Sequence, residues 1–417
     1  MKLRVIFLLA LIPLVNGLYS QNPEWKVYNT ANSGLGDNDL RSISIDNNDE
    51  KWVGTVNDAV YSYDDNTWDH YNSSNSYVYD DYVLCISTDS LNHKWIGTRS
   101  GGMSKYDGSQ WYFWDETHSA IPDNKVYDIQ FEGPLTWVAT MHGLASFDGS
   151  TWTTWNTANS GIPAEEVRAI AFDGSGNKWI ATWGGGIAKF DGSGWTVYNK
   201  SNSPLPDNYC ISLFYDGNFF WIGTSGNGLA RFDGTSWTIF TTSNSGIPSD
   251  FVFNSKKEGN KLWFATGAGM ALLEGTTWTV YNPSNSGLPG QYTKDIEIDA
   301  SGNKWIATDQ GLAEFRQGGV LGLADPVMAC NEQLNITIAP NPVTTFAKVS
   351  WEDPLRGEAH FSLINPLGQI LPLETIPAVN HGRVSITLDL SGQKPGFYFL
   401  KCQVNNKLIT KKIVLIN

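Results

Sequence analysis

Residues 159–199 read NSGIPAEEVRAIAFDGSGNKWIATWGGGIAKFDGSGWTVYN. Four short segments lie inside this stretch, each bounded by turn residues. Val167–Phe172 alternates and stops at Asp173-Gly174, and Lys178–Thr182 follows a Gly-Asn pair. Ile187–Phe190 follows three glycines and stops at Asp191-Gly192, and Trp195–Tyr198 ends the unit. All four are β-branched or aromatic and too short for a helix, so they predict strands.

Outward from this unit the spacing recurs along most of the chain. Trp52, Trp95, Trp137, Trp179, Trp221, Trp263 and Trp305 follow one another at intervals of 42 or 43 residues. Trp25, Trp68, Trp111, Trp152, Trp195, Trp237 and Trp278 form a second register at intervals of 41 to 43. Fourteen of the 18 tryptophans fall on these registers, and a period near 42 with four strands per unit is the signature of a β-propeller. Seven units predict seven blades. The series opens on an orphan fourth strand, Trp25–Tyr28, and closes on a third strand, Gly311–Phe315, that lacks a successor. The N-terminal strand can complete the last sheet and close the ring, covering edges that would otherwise invite association. An open solenoid would instead need capping repeats, and here the missing strand lies at the other end of the chain. The expected fold is all-β: a seven-bladed β-propeller over residues 22–318, a linker over 319–330 and a small Ig-like β-sandwich over 331–417.

The second-strand Trp is expected between adjacent sheets and the fourth-strand Trp over the outer edge. The links Asn-Ser-Gly-(Ile/Leu)-Pro at 159–163, 244–248 and 285–289 lead from each outer strand to the next inner one.

Charge follows the same division. Residues 22–318 carry 35 acidic and 18 basic side chains, a balance of −17. Residues 319–417 carry 7 acidic and 8 basic, and the leader adds Lys2 and Arg4, which together recover the net −14. Such an acidic body argues against nucleic acid and against an anionic membrane surface. The first 21 residues, MKLRVIFLLALIPLVNGLYSQ, have a basic start, an apolar run from Val5 to Val15 and a small-residue exit. This is the pattern of a secretory signal peptide, and the run is too short to span a bilayer. No later stretch is long and apolar enough to be a transmembrane segment.

The propeller repeat resembles the two-component regulator propeller family. Its signature places Ile, Asp, Gly, Trp, Gly-Thr, Gly-Leu and Phe at fixed offsets. Ile45, Asp46, Trp52, Gly54 and Thr55 fill these slots, as do Ile86, Asp89, Trp95, Gly97 and Thr98. So do Ile170, Asp173, Gly176, Trp179, Thr182, Gly186, Ile187 and Phe190. Trp221, Gly223, Thr224, Gly228, Leu229 and Phe232 continue the pattern, and Ile298, Asp299, Gly302, Trp305, Thr308, Gly311, Leu312 and Phe315 complete it. In that family such propellers often form the periplasmic sensor of hybrid histidine kinases. This sequence carries no kinase or receiver region, so a complete signalling sensor is not expected.

Residues 331–417 alternate through Leu334–Ala339, Phe346–Ser350, His360–Ile364, Val384–Leu388, Phe397–Val404 and Leu408–Leu415, the pattern of a small sandwich. They resemble the C-terminal sorting domain of the type IX secretion system. The matches are Pro340-Asn341-Pro342, Asn365-Pro366-Leu367-Gly368-Gln369, Leu388-Asp389-Leu390, Pro395-Gly396-Phe397-Tyr398-Phe399-Leu400 and Lys411-Lys412-Ile413-Val414. The resemblance implies export through the type IX machinery and a chain that is released or attached at the outer-membrane surface. Cys330 and Cys402 are a possible disulfide in an oxidising compartment, whereas Cys85 and Cys210 read as buried small hydrophobes.

In such a propeller the interblade links and the loops between second and third strands open on one face. The loops contribute Asn57 and Asp58, Arg99, His142, Trp183, Asn227 and Asp309, and the positions just before the inner strands read as Asp39, Tyr82, Lys125, Glu166, Asn208, Asp250 and Tyr292. The expected binding set is Trp183, Arg99, His142, Asn227, Asp309, Glu166, Asp250, Tyr82 and Tyr292, facing a glycan, peptide or protein. Trp183 stands out because a bulky aromatic has no turn-forming reason to sit in a Gly-rich loop. The rival is a secreted polysaccharide hydrolase or lyase, which would need paired carboxylates drawn from Glu166, Asp250, Asp39 and Asp309. No nucleophile elbow, phosphate loop or His-rich metal cluster occurs, so no cofactor or metal is expected. The Asp-Gly-Ser/Thr-x-Trp hairpins at 148–152 and 233–237 resemble the Asp boxes of sialidases and read best as turn stabilisers.

Overall fold

The computed structural model describes residues 24–318 and, further on, 337–339, 341, 343–352, 359–365, 370–371, 375–380, 383–404 and 407–415. Residues 1–21, expected to be a signal peptide, and the expected Cys330–Cys402 pairing lie outside the described residues. The chain divides into two compact units, one holding seven four-stranded sheets and the other two.

The unit at 159–199 folds as its sequence predicts. Strands Val167–Phe172, Lys178–Thr182, Gly186–Phe190 and Trp195–Tyr198 pair antiparallel in that order to form the fourth blade. The other complete blades span Leu40–Tyr71, Val83–Trp114, Val126–Trp155, Cys210–Phe240 and Val252–Tyr281. In the seventh, Thr293–Ile298, Lys304–Thr308 and Gly311–Phe315 accept the N-terminal strand Trp25–Tyr28 on the open edge, with Trp25 opposite Phe315 and Tyr28 opposite Leu312. The closure is tight. Trp25 stacks on Phe315 at 4.2 Å, Tyr28 donates its hydroxyl to Glu314, and both rings are buried.

The second-strand tryptophans lie between sheets and are nearly all anchored by their indole N–H. Trp95, Trp137, Trp179, Trp221, Trp263 and Trp305 donate Nε1 to Asp89, Glu132, Asp173, Asp216, Glu258 and Asp299, at 2.7–3.3 Å. Each carboxylate stands at or just past the end of its own inner strand. This explains the repeat's acidic residue: it satisfies a buried donor that would otherwise cost free energy. Trp52 is the exception among the described residues. Its equivalent, Asp46, forms an ion pair with Lys94 at 2.7 Å and accepts from Asn92, and Trp52 Nε1 is buried without an acceptor.

Trp25 apart, the fourth-strand tryptophans are half-buried on the rim. Phe190 and Trp195, directly opposite in register, stack at 4.7 Å. The interblade link covers this ring closely: a Cβ on Gly161 would come within 2.6 Å of Trp195 Cβ. This requires glycine for space rather than for backbone conformation. The Asp hairpins are turn stabilisers as expected. Asp148 Oδ1 accepts from the Ser150 and Thr151 N–H groups at 2.8 and 2.7 Å.

The second unit has sheets in the order Thr337–Ala339, Phe346–Glu352, Arg383–Asp389, Thr375–Asn380, and Ile370–Leu371, Ala359–Ile364, Gly396–Val404, Lys407–Leu415. Val343, Val349, Leu363, Leu388, Leu400 and Ile413 are among its core residues. The sequence reading misses Thr375–Asn380, which contains Pro377. The structure places that strand on a sheet edge, where the missing N–H is tolerated.

Candidate functional site: the mouth of the propeller channel

Every inner strand carries the same irregularity. Pairing with the second strand skips one residue after the first pair, and the skipped residues are Arg41, Leu84, Tyr127, Arg168, Ile211, Phe253 and Lys294. A bulge re-aims its side chain away from the sheet. All seven line one central cavity of about 860 Å³. The bulges thus build a ring that no periodicity in the sequence announces.

Below this ring the third inner-strand residues tie blade to blade. Asp295 accepts from the Ile43 N–H at 2.9 Å and from Ser42, Ser42 Oγ accepts from Ile86 N–H at 3.0 Å, and Asp128 accepts from Ile170 N–H at 2.7 Å. Burial, reinforced by Glu297, pushes the Asp295 carboxyl up to about 7, and burial pushes Asp128 up to about 6. Deeper still, Lys256 and Glu297 form an ion pair at 2.5 Å. Burial disfavours the Lys256 ammonium, but Glu297 and Asp295 more than compensate and raise it.

At the mouth the structure assembles a cluster around Trp183. Its N–H donates to Glu166 O at 2.9 Å, which folds the loop over the channel. The Arg168 guanidinium is sandwiched, 4.1 Å from the Tyr127 ring centroid and 4.6 Å from that of Trp183, and it pairs with Glu166 at 2.5 Å. Arg168 Nε is buried without a partner. Tyr127 donates its hydroxyl to Glu166, and burial together with that carboxylate pushes the phenol up. Tyr209 meets Trp183 edge-on at 4.9 Å.

The expected binding residues fall into two groups. Trp183 and Tyr292 line the cavity, and Glu166 reaches it through Arg168 and Tyr127. Arg99 lies over the Tyr82 ring on the rim, at 5.5 Å. His142, Asn227 and Asp309 instead brace the links. His142 pairs with Asp123, Asn227 donates to Asp207 at 2.6 Å, and Asp309 accepts from the Tyr292 N–H at 3.1 Å. Asn57 donates to Asp37 at 3.1 Å, and Asp58 accepts from Tyr61. Asp37, Asp80, Asp123 and Asp207 each also accept from the N–H of the residue before the inner strand. The seventh blade has Gly290 there, and Asp309 takes over the role.

Two rim positions differ from the sequence reading. The residues immediately before the fifth and sixth inner strands are Tyr209 and Phe251, not Asn208 and Asp250. Asn208 and Asp250 turn back onto the preceding link, accepting from Lys200 N–H at 2.9 Å and Thr242 N–H at 2.8 Å. Counting three residues past Pro163, Pro206 and Pro248 identifies Glu166, Tyr209 and Phe251 as equivalents. Tyr209, Phe251 and Tyr292 are each about half exposed (45%, 46% and 53%). None of the four candidate catalytic carboxylates lines the cavity: Asp39 pairs with Lys294, and Glu166, Asp250 and Asp309 are engaged as described.

Residues 337–417 match the family of secretion system C-terminal sorting domains. No curated protein sequence matches the chain significantly. Among solved structures, the fold is similar to the extracellular domain of the hybrid two-component system BT3049 from B. thetaiotaomicron, with a TM-score of 0.62 at 17% identity over 94% of this chain and 57% of that one. It is also similar to PorZ, a surface component of the type IX secretion system of Porphyromonas gingivalis, with a TM-score of 0.58 at 16% identity over 94% of this chain and 61% of that one. Virginiamycin B lyase from Staphylococcus aureus aligns with 70% of this chain and 98% of its own, at a TM-score of 0.56 and 15% identity. The chain thus spans only about three-fifths of the first two proteins. Residues 337–417 are a secretion system C-terminal sorting domain carried behind a seven-bladed propeller, and the chain is a secreted or cell-surface protein.

Proposed function

We propose that this is a non-catalytic binding propeller, delivered by its sorting domain through the type IX machinery, whose ligand enters the channel mouth. The observation that carries the reading is the Tyr127–Arg168–Trp183–Tyr209 cluster at the opening of the central cavity. Half-exposed aromatic rings held rigidly by neighbours offer large contact area at little entropic cost. The four carboxylates nominated from the sequence are committed to Arg168, Lys294 and backbone N–H groups. The three that line the cavity, Asp128, Asp295 and Glu297, are held by the Ile170 N–H, by Ser42 with the Ile43 N–H, and by Lys256, which favours recognition over hydrolysis. A glycan-array screen of the secreted protein against its Trp183→Ala variant tests this. Specific binding that the substitution abolishes supports the mouth, and binding unchanged by it refutes the assignment. Turnover lost in Glu166→Gln with the fold intact would overturn the non-catalytic reading. Deleting residues 337–417 should leave the propeller inside the outer membrane.

A further inference from the structure

The mouth is chemically two-sided. Blades four to seven present Trp183, Tyr209, Phe251 and Tyr292, an arc of aromatic rings beside the cavity. Blades one to three present Arg41, Arg99 and Lys125. Arg41 lines the cavity and makes no hydrogen bond or ion pair among the described residues. Lys125 lies 5.2 Å from the centroid of the Tyr127 ring and Arg99 lies over Tyr82, and neither meets a carboxylate. The other two cations of the bulge ring are neutralised, Lys294 by Asp39 and Arg168 by Glu166. An unpaired cationic side therefore faces an aromatic side across the opening, in a propeller whose net charge is −17.

Unpaired cations at the mouth attract an anion locally, but the surrounding acidic surface repels any anion that lacks a second source of affinity. The aromatic arc supplies that source by stacking on the flat apolar faces of sugar rings. We infer that the mouth selects an acidic oligosaccharide, a sugar ring stacked on the Trp183 side and its carboxylates met by Arg41 in the cavity and by Lys125 just before the third inner strand. This rests on the mouth being the binding surface and adds the ligand's charge and class. An acidic peptide offers the charge but not the stacked ring.

The full secreted protein is titrated calorimetrically with hexagalacturonate, with a neutral glucose hexasaccharide and with hexa-aspartate, at low and raised salt. Hexagalacturonate should bind at least about tenfold more tightly than either control, and salt should weaken it selectively. Arg41→Gln should reduce hexagalacturonate affinity by about tenfold and leave any neutral-sugar affinity unchanged. Arg41 has no partner to lose, so circular dichroism and thermal midpoint should be unaltered. Equal binding of acidic and neutral chains, hexa-aspartate matching hexagalacturonate, no hexagalacturonate binding, or Arg41→Gln and Lys125→Gln both without effect overturns the inference. If neutral glycans bind and Trp183→Ala abolishes that binding while Arg41→Gln does not, the anionic assignment falls and the mouth stands.

Discussion

Replacing Trp305 or Trp52 with Phe performs the same chemistry at two equivalent sites that differ in one hydrogen bond. Both indoles are 1% exposed. Each stacks on a tyrosine of an outer strand, Trp305 on Tyr28 at 5.6 Å and Trp52 on Tyr71 at 5.1 Å. Each lies under a lysine of the following blade, Lys51 at 4.8 Å and Lys94 at 5.3 Å. The lost ring volume and its cavity term are therefore closely matched and cancel in the difference. What remains is the indole N–H. Trp305 donates to Asp299 at 3.0 Å, and a hydrogen bond to a charged group contributes roughly 1.5–3 kcal/mol. Trp52 Nε1 has no acceptor, so its removal relieves a buried unsatisfied donor that costs about 1–3 kcal/mol. Trp305→Phe should thus be the more destabilising of the two by about 3 kcal/mol. Urea unfolding followed by intrinsic fluorescence reads this directly, because 17 of the 18 tryptophans lie in the propeller. Two variants within about 0.5 kcal/mol of each other would refute the role given to the acidic residue of the repeat.

Other consequences follow from the closure, the links and the channel. Trp25→Ala, at the buried strand that closes the ring, should cost about 3–5 kcal/mol in urea unfolding, and deleting residues 24–28 should produce association on size exclusion through the exposed edge of Gly311–Phe315. Gly161→Ala should destabilise by about 1–3 kcal/mol through its clash with Trp195, whereas Gly174→Ala, which meets nothing within 4 Å, should be neutral or slightly stabilising in the same assay. The Asp295 carboxyl is raised to about 7 in the folded state, so folded protein binds a proton there that unfolded chain releases near 4. Stability should rise as pH falls from 8 to 5, by on the order of 2–3 kcal/mol from this group, with Asp128 acting in the same direction. Below about pH 4 the trend should reverse. Burial alone would raise Asp46 and Asp173, but Lys94 for the first, and Asn177 and Trp179 for the second, hold them below the ordinary range, and protonation forfeits that stabilisation. A thermal-midpoint profile that falls steadily from pH 8 to 5 would contradict this.

The architecture was legible because the period is carried by large residues with one steric role each. Trp195 and Asp173 are forced by contacts that recur in every blade or nearly so, Gly161 by one that recurs at Gly34, Gly246 and Gly287, and the orphan strand Trp25–Tyr28 follows from counting. The edge strand Thr375–Asn380 was hidden by Pro377, which argues against a central strand and is tolerated at an edge. The mouth was only partly legible. Trp183 declared itself as an aromatic where turn geometry wants glycine. His142, Asn227 and Asp309 looked equally functional, but they are polar because a link carboxylate or backbone N–H requires a partner. Arg41 and Arg168 could not be found from alternation, because a bulge shifts the register by one and turns a side chain expected to face a neighbouring sheet into the channel.

The seven blades act as an internal comparison that separates folding from recognition. Thr55, Thr98, Thr140, Thr182, Thr224, Thr266 and Thr308 are one residue type at one position, each buried and donating Oγ1 to a backbone carbonyl across the hairpin. Nothing else of that size satisfies both the space and the acceptor. The bulge position carries Arg, Leu, Tyr, Arg, Ile, Phe and Lys in the same backbone setting, so the fold accepts charge, aromatic and aliphatic there alike. A position that folding leaves free is where chemistry can vary without loss of stability. Exchanging Arg41 for the isoleucine found at position 211 should therefore leave the unfolding midpoint within experimental error while changing what the mouth holds. An equal exchange at Thr55 should do the reverse, since it leaves the buried carbonyl of Ala59 without its side-chain donor.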